Sequence, residues 1–297
     1  MTKCGFVTVF GLTNAGKSTL VNQIVGAKVS ITSHKVQTTR NRVLGIAVKD
    51  DVQIILQDTP GIFQPKRRLD KAMVHAAWQE TSVGDITIVI VDSQTGLNKK
   101  LRKMLERLKE EVKTPLILAL NKIDTIERDK LLSLSQEINQ ILPFEQSFMI
   151  SALKGSGIND LTQYLCEKLP EGPWHFPEDQ LSDLPMRLLA AEITREKVYN
   201  YLHQELPYSI AVENDVFKHQ DDGSIRIEQV IFVERKSQRA IVLGHKGQMI
   251  KNIGKAARLE LTEILETKVH LFLQVRIRPQ WSEERSYFEQ WGLDFSV

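Results

Sequence analysis

The sequence predicts two domains: an α/β domain built on a mostly parallel sheet with helices on both faces, then a smaller α+β domain. Three observations lead there. Short apolar runs alternate with helix-length stretches through residue 168. Residues 170–185 (PEGPWHFPEDQLSDLP) then hold four of the ten prolines, and proline continues neither a helix nor a strand. Beyond them the order changes to a helix, two alternating runs, a glycine-containing loop, a long helix and a last strand. The expected boundaries are 1–169 for the first domain, 170–185 for the linker and 186–297 for the second domain.

In the first domain 6–10, 43–48, 52–57, 86–91, 115–120 and 147–150 read as strands. Their near-continuous apolar character suits strands buried on both faces. Residues 17–25, 72–82, 99–112, 128–142 and 158–169 read as the intervening helices. Only Lys49-Asp50-Asp51 separates the second and third runs, which predicts a hairpin and one antiparallel edge strand. In the second domain 188–206 reads as a helix, and 209–217 and 224–234 as strands split by the turn Asp221-Asp222-Gly223. The last strand is 268–277.

Bulk composition excludes some functions. With 42% hydrophobic and 26% charged residues the chain is an ordinary globular one, and a net charge of +2 implies no polyanion partner by itself. Cys4 and Cys166 are the only cysteines and form neither a metal-ligand pattern nor a disulfide framework, which points to a reducing compartment. No apolar run approaches the ~18 residues of a membrane span. Met1-Thr2-Lys3 leads straight into an apolar run with no leader-like segment before it. A bacterial cytoplasmic protein is expected, with membrane contact only peripheral and a monomeric state.

Four motifs then occur in order. Gly11-Leu12-Thr13-Asn14-Ala15-Gly16-Lys17-Ser18 matches G-x-x-x-x-G-K-[ST] between a strand and a helix, with Thr19 next in line. Glycines there let backbone N–H groups wrap a β-phosphate, Lys17 brings a charge to the β- and γ-phosphates, and Ser18 offers a hydroxyl to Mg²⁺. Asp58-Thr59-Pro60-Gly61-Ile62 closes the third strand: an acid there holds Mg²⁺ through water, and the Gly61 N–H senses a γ-phosphate. Asn121-Lys122-Ile123-Asp124 follows the fifth strand, where the Asp124 carboxylate pairs with the N1–H and amino group of guanine and rejects adenine. Ser151-Ala152-Leu153 follows the sixth and offers a backbone N–H to the guanine O6. A threonine between the first helix and the hairpin should complete the Mg²⁺ shell; Thr38 and Thr39 both fit, with Thr39 favoured, while His34 and Lys35 read as solvated loop. GTP and GDP are the expected ligands and Mg²⁺ the cofactor. Lys17, Thr39 and Gly61 are the expected catalytic groups.

The second domain carries a local basic patch. Residues 235–258 contain seven Lys or Arg and no Asp or Glu. At its centre Gly244-His245-Lys246-Gly247 is a G-x-x-G loop between elements, the signature of a KH fold, whose glycines let backbone approach a single-stranded nucleic acid. Lys246, Lys251, Lys255 and Arg258 are the expected phosphate contacts. Trp281, Tyr287, Phe288 and Trp291 follow the last strand and have two readings, base stacking or packing of a terminal helix.

The segment VSITSHKVQTTR (29–40) and the run DTPGI (58–62) together resemble the Era family of bacterial GTPases, and the resemblance extends through the second domain. It implies a GTPase domain followed by a type-2 KH domain. It also implies a role in small (30S) ribosomal subunit maturation, and two partners: the single-stranded 3′ region of 16S ribosomal RNA and the immature subunit. Two departures are visible. Family members commonly read G-R-P-N-V-G-K-S, where this chain has Leu12, Thr13 and Ala15, side chains expected to point away from the phosphates. They often have Asn at the position of His245.

Many switch GTPases carry a water-orienting glutamine after D-x-x-G. Here that residue is Ile62, and no arginine finger is plain, with Arg40, Arg67 and Arg68 as candidates. Slow basal turnover is expected, about 10⁻⁴ to 10⁻² s⁻¹. Two other classes compete with this reading. A P-loop kinase would lack N-K-x-D and carry a lid in place of a G-x-x-G domain. A membrane-peripheral signalling GTPase would use the basic patch on anionic lipid.

Overall fold

The computed structural model describes residues 1–33, 35, 38–40, 42–202 and 209–297; His34 and the 203–206 end of the helix expected over 188–206 lie outside them. The described residues form two units. One is Met1–Ser30, Thr39–Asp183 and Trp291–Val297, and the other is Ile31–Thr38 with Leu184–Gln290.

The first unit runs β1 (Lys3–Phe10), α1 (Lys17–Val25), β2 (Val43–Lys49), β3 (Val52–Asp58), α2 (Arg68–Glu80), β4 (Ile86–Asp92), α3 (Lys99–Glu111), β5 (Leu116–Asn121), α4 (Arg128–Ile141), β6 (Gln146–Met149) and α5 (Ile158–Lys168). The sheet order is β2-β3-β1-β4-β5-β6, all parallel except the antiparallel edge strand β2. The strands are apolar throughout because both faces are covered. In β5, Ile117 and Ala119 join α1 and α5 residues in one core, and Leu116, Leu118 and Leu120 join α2, α3 and α4 residues in the other. The helix after β1 therefore lies on one face and the helix after β3 on the opposite face. Such folds bind ligands at the carboxyl ends of two strands that diverge in this way.

Helix α2 starts four residues before the expected 72. The Asp70 carboxylate caps it by accepting from Lys66 N and Arg67 N, both at 3.1 Å. Backbone pairing also holds the linker to this unit, since Ile46 N donates to Leu181 O at 2.9 Å and Cys4 N to Pro170 O at 3.1 Å.

The second unit runs α6 (Met186–Tyr201), β7 (Ile210–His219), β8 (Ile225–Val233), α7 (Lys236–Leu243), α8 (Gln248–Ile264), β9 (Val269–Ile277) and α9 (Arg285–Gln290). Its sheet is β7-β8-β9, antiparallel at the first pair and parallel at the second. Val198 of α6, Val242 of α7 and Ile253 of α8 pack on the sheet residues Ile210, Ile231, Val233 and Val275. The sequence reading merges α7 with the following loop. Only Val242 of α7 is buried, too little for a periodic signal, and the helix begins where Gln238 Oε1 accepts from Glu234 N and Arg235 N at 2.8 and 3.0 Å.

The structure decides between the two readings of the C-terminal aromatics. Trp281, Tyr287 and Phe288 are buried, with the Trp281 indole donating to Ser209 O at 3.1 Å and lying 5.1 Å from the Tyr287 ring. They pack the end of the chain onto the unit and are not open to stack on bases. Trp291 lies in the other unit, with the Arg40 guanidinium 5.3 Å from its ring.

Trp281→Ala removes a fully buried indole and a hydrogen bond. It should cost about 3–5 kcal/mol of stability, read as a fall in the urea midpoint at unchanged slope. A loss below about 1 kcal/mol would contradict a core role.

Candidate functional site

The loops after β1 and β3 meet at the divergence of the two strands. Gly16 ends the first loop with φ 103°, and a Cβ there would lie 2.2 Å from Asn121 Nδ2, so only glycine fits. α1 begins at Lys17 with its amide groups facing the loop, which suits a phosphate. Lys17 is buried, and its ammonium donates to Gly11 O and Leu12 O at 3.2 and 3.0 Å. Burial pushes its pKa down to about 8, against the pull of Asp58.

Asp58, at the end of β3, is fully buried. Its Oδ2 accepts from Ser18 Oγ at 2.7 Å, Ser30 Oγ at 2.6 Å and Thr39 Oγ1 at 3.3 Å, and Ser18 and Thr39 lie 3.1 Å apart. Its Oδ1 is buried with no partner among the described residues. Burial pushes the Asp58 carboxyl up, and the hydroxyls of Ser30 and Ser18 and the Lys17 charge pull it back. A compact set of hard oxygens with one buried carboxylate oxygen left open fits Mg²⁺. Thr39 belongs to this group; Thr38 does not, because Arg195 of the second unit holds its carbonyl.

Sequence reasoning missed Ser30 and Asn22. The Asn22 amide of α1 accepts from Val29 N and Ser30 N, both at 2.9 Å, and donates to Ser30 O at 2.7 Å. Ser30 is thereby fixed with its hydroxyl on Asp58. A serine in a polar loop carries no periodicity, so only the fold identifies it.

The D-x-x-G segment is tied to the phosphate loop by its backbone. Ile62 N donates to Gly11 O at 3.0 Å, Thr13 N to Ile62 O at 3.4 Å, and the Thr59 hydroxyl to Val9 O at 2.8 Å. A Cβ on Gly61 would lie 2.8 Å from Thr13 Cα, so this glycine permits the close approach. Leu12 and Ile62 pack on the core below, and Ala15 is buried in the opposite core. Thr13, Asn14 and Thr19 line the rest of the loop and first turn, with Asn14 at φ 62°, and Pro60 is buried beside Gly61. Arg68 stacks 4.1 Å from the Phe295 ring, so both Arg40 and Arg68 engage C-terminal aromatic rings.

The base-side loops converge through Asn121. Its Nδ2 donates to Ala15 O at 2.8 Å, and its Oδ1 accepts from Ala152 N at 2.9 Å, which locks three loops together. Lys122 takes φ 67° and pairs with Asp92 at 2.5 Å, and Ile123 opens a short helical turn. Asp124 Oδ1 accepts from the Ser151 hydroxyl at 2.7 Å, which holds its carboxyl below the usual range, and Lys154 lies 3.3 Å from Oδ2. Leu153 is exposed at the mouth of this loop. Asp92 and Lys154 are further residues that no motif signalled.

In the second unit the G-x-x-G loop joins α7 to α8. Gly244 has φ 70°, and a Cβ there would lie 2.6 Å from Met249 Cβ; Gly247 has φ 75° and caps α8. His245 and Lys246 are exposed between them. Lys251, Lys255 and Arg258 are exposed at i, i+4 and i+7 on α8, which turns Ile253, Ala257 and Leu261 into the core. The expected phosphate contacts thus share one side of the helix that starts at the loop.

A family model described as 50S ribosome-binding GTPase matches residues 6–122, and a KH-domain model matches residues 205–282. GTPase Era of Brucella suis biovar 1 is 56% identical over 294 residues, 99% of this chain and 94% of that protein. GTPase Era of Mesorhizobium japonicum is 55% identical over the same shares. Among solved structures, an Aquifex aeolicus Era variant bound to GDP and AlF4⁻ superposes with a TM-score of 0.92 at 39% identity, over 98% of this chain and 99% of that one. An Era complex with MgGDPNP and nucleotides 1506–1542 of 16S ribosomal RNA gives the same TM-score, identity and coverage.

Ser30→Ala should leave Asp58 short of one donor and raise the Mg²⁺ concentration needed to retain fluorescent GDP about tenfold or more, since a hydrogen bond to a buried charge is worth about 1.5–3 kcal/mol. A Mg²⁺ requirement equal to wild type would show that Ser30 does not hold the carboxylate. Asp124→Asn should exchange GTP for xanthosine triphosphate, because the amide pairs with the exchanged base edge. Unchanged GTP affinity would remove Asp124 from the base site.

Proposed function

The chain belongs to the Era family of GTPases, and on that premise we propose that it reads the single-stranded 3′ region of small-subunit ribosomal RNA through its Gly244–Gly247 loop and assists maturation of the immature small subunit. It hydrolyses GTP. Solved Era bound to 16S ribosomal RNA nucleotides and MgGDPNP supports the RNA reading by similarity. The observation that carries it within this chain is the exposed Gly244–Gly247 loop, with Lys246, Lys251, Lys255 and Arg258 beside it and no carboxylate in the same stretch.

The site residues divide the chemistry. Backbone amides of Gly11–Ser18 receive the β-phosphate, and Lys17 moves from its carbonyl acceptors to the β- and γ-phosphates. Ser18, Thr39 and Asp58 would hold Mg²⁺, which would offset the charge of the phosphate oxygens. The Gly61 N–H faces the γ-phosphate, its position set by the Ile62–Gly11 bond. Ile62 packs on the core and offers water no side-chain donor or acceptor, so backbone groups and Thr39 are left to position it. This supports slow turnover, about 10⁻⁴ to 10⁻² s⁻¹.

The proposal extends to a monomer in the bacterial cytoplasm, with peripheral contact at the inner face of the membrane. No described helix is long and apolar enough to cross a membrane.

The test replaces His245 and Lys246 with aspartate and measures affinity for single-stranded RNA ending in the small-subunit 3′ sequence, over a salt series. Wild-type binding should weaken with a log–log slope of about −2.8 if four cations each release counterion, at ~0.7 per contact. The variant should lose binding while its melting temperature and GTP affinity hold, because exposed substitutions cost within about 0.5 kcal/mol. Near-normal RNA affinity in the folded variant would take the loop out of the RNA surface.

A further inference from the structure

We propose that the last seven residues, Trp291–Val297, are a strap that positions both segments through which the nucleotide unit meets a γ-phosphate. Trp291 acts on Thr39 through Arg40, and Phe295 acts on the segment after Gly61 through Arg68. Both rings are positioning residues that act through an arginine, and both assignments rest on the roles proposed for Thr39 and Gly61.

Chain ends are poorly ordered unless something ties them down. This one belongs to the nucleotide unit and is tied at several points. Leu293 is buried. Asp294 accepts from the Ser296 amide and hydroxyl at 2.8 and 2.6 Å, which folds the tail into a tight turn. Those bonds hold the Asp294 carboxyl below its ordinary range, and His75 of α2 adds to the effect. The Phe295 ring lies 4.1 Å from the Arg68 guanidinium, and the Trp291 ring lies 5.3 Å from that of Arg40.

The positions of the two arginines give the strap its role. Arg40 directly follows Thr39, whose hydroxyl is one of the three on Asp58. Arg40 is buried, where a guanidinium left alone would be costly, and the face of Trp291 is a partner that the tail supplies. Arg68 is the first residue of α2, the helix that follows Gly61. A cation there meets the positive end of the helix dipole, and the face of Phe295 offsets that. Arg68 and His75 lie two turns apart on one exposed side of α2, so the tail follows that side. Arg42, two residues beyond Arg40, reaches Glu80 at the other end of α2, 3.6 Å away. The segment that carries Thr39 is therefore held twice, by α2 at Arg42 and by the tail at Arg40.

With the tail in this place Thr39 already stands beside Ser18 and Asp58, 3.1 Å from the Ser18 hydroxyl. The strap therefore favours the arrangement that completes the metal site. GDP has no γ-phosphate with which to engage Thr39 or Gly61, so the strap should matter for GTP and little for GDP.

The test uses the full chain with Trp291→Leu and Phe295→Leu, which keep apolar area and remove the ring, and with Trp291→Phe and Phe295→Tyr, which keep a ring. Affinities for GDP and for a non-hydrolysable GTP analogue are measured at saturating Mg²⁺, followed by single-turnover hydrolysis, with the melting temperature as a control. Each leucine variant should lose about threefold to tenfold in the ratio of analogue affinity to GDP affinity, the range that a cation on a ring face supports. Hydrolysis should slow by a similar factor while GDP affinity stays at the wild-type value. The ring-retaining variants should restore the ratio. Combining Phe295→Leu with Arg68→Met should lose no more than either change alone, because both remove one contact. A wild-type ratio in both folded leucine variants overturns the proposal. So does equal weakening of GDP and the analogue, which would reduce the tail to packing, and so does a ratio that rises, which would make the tail an inhibitor of the GTP state. Thr39→Ala separates the underlying reading. A wild-type ratio in that variant would count against Thr39 at the γ-phosphate, while Phe295→Leu still reports on the strap through Arg68.

Discussion

A carboxylate with no access to solvent, one oxygen triply hydrogen-bonded and the other open, is the constraint around which the nucleotide unit is arranged. Asp58 would be costly to bury alone. Three hydroxyls from three different segments, Ser18, Ser30 and Thr39, converge on its Oδ2, and the Lys17 ammonium is the near positive charge. These groups offset the burial without using Oδ1. What remains is a directed site of oxygen ligands, and a divalent cation is the group that completes it. The phosphate loop, the segment before β2 and the end of β3 meet at this atom.

The second structural economy is that side chains and backbone of the site hold each other rather than relying on the ligand. Asn121 bridges the phosphate loop and the base-side loop with its two amide atoms. Ile62 is bonded through its backbone to Gly11 and Thr13 while its side chain joins the core. That geometry accounts for an isoleucine where other switch GTPases place a polar residue. The position serves to anchor the γ-phosphate sensor, and water placement is left to other groups.

Charge is arranged on a larger scale than any single contact. The chain is near neutral overall, yet residues 235–258 hold seven Lys or Arg and no acid, and the first five residues of α3 hold four cations. Each surface has its own geometry. One has glycines with positive φ that bring backbone close to a strand of nucleic acid. The other has Lys99, Lys100, Arg102 and Lys103 on the first turns of one helix.

Much of this was legible before folding. The alternation of apolar runs, the glycine and lysine spacing of the phosphate loop, the N-K-x-D tetrad and the G-x-x-G loop are local patterns whose chemistry needs particular residues at particular spacings, so the sequence alone determined the fold class and the identity of the ligand. What it could not determine depends on residues distant in the chain meeting in space. Thr39 rather than Thr38 at the metal-site oxygens, Ser30 and Asn22 behind Asp58, Asp92 on Lys122, and the burial of Trp281, Tyr287 and Phe288 carry no spacing signal. Helix α7 escaped for a related reason, since one buried residue sets no period. Only the tertiary structure decided these, because burial and hydrogen-bond partnership are properties of neighbours in space, whereas a motif is a property of neighbours in the chain.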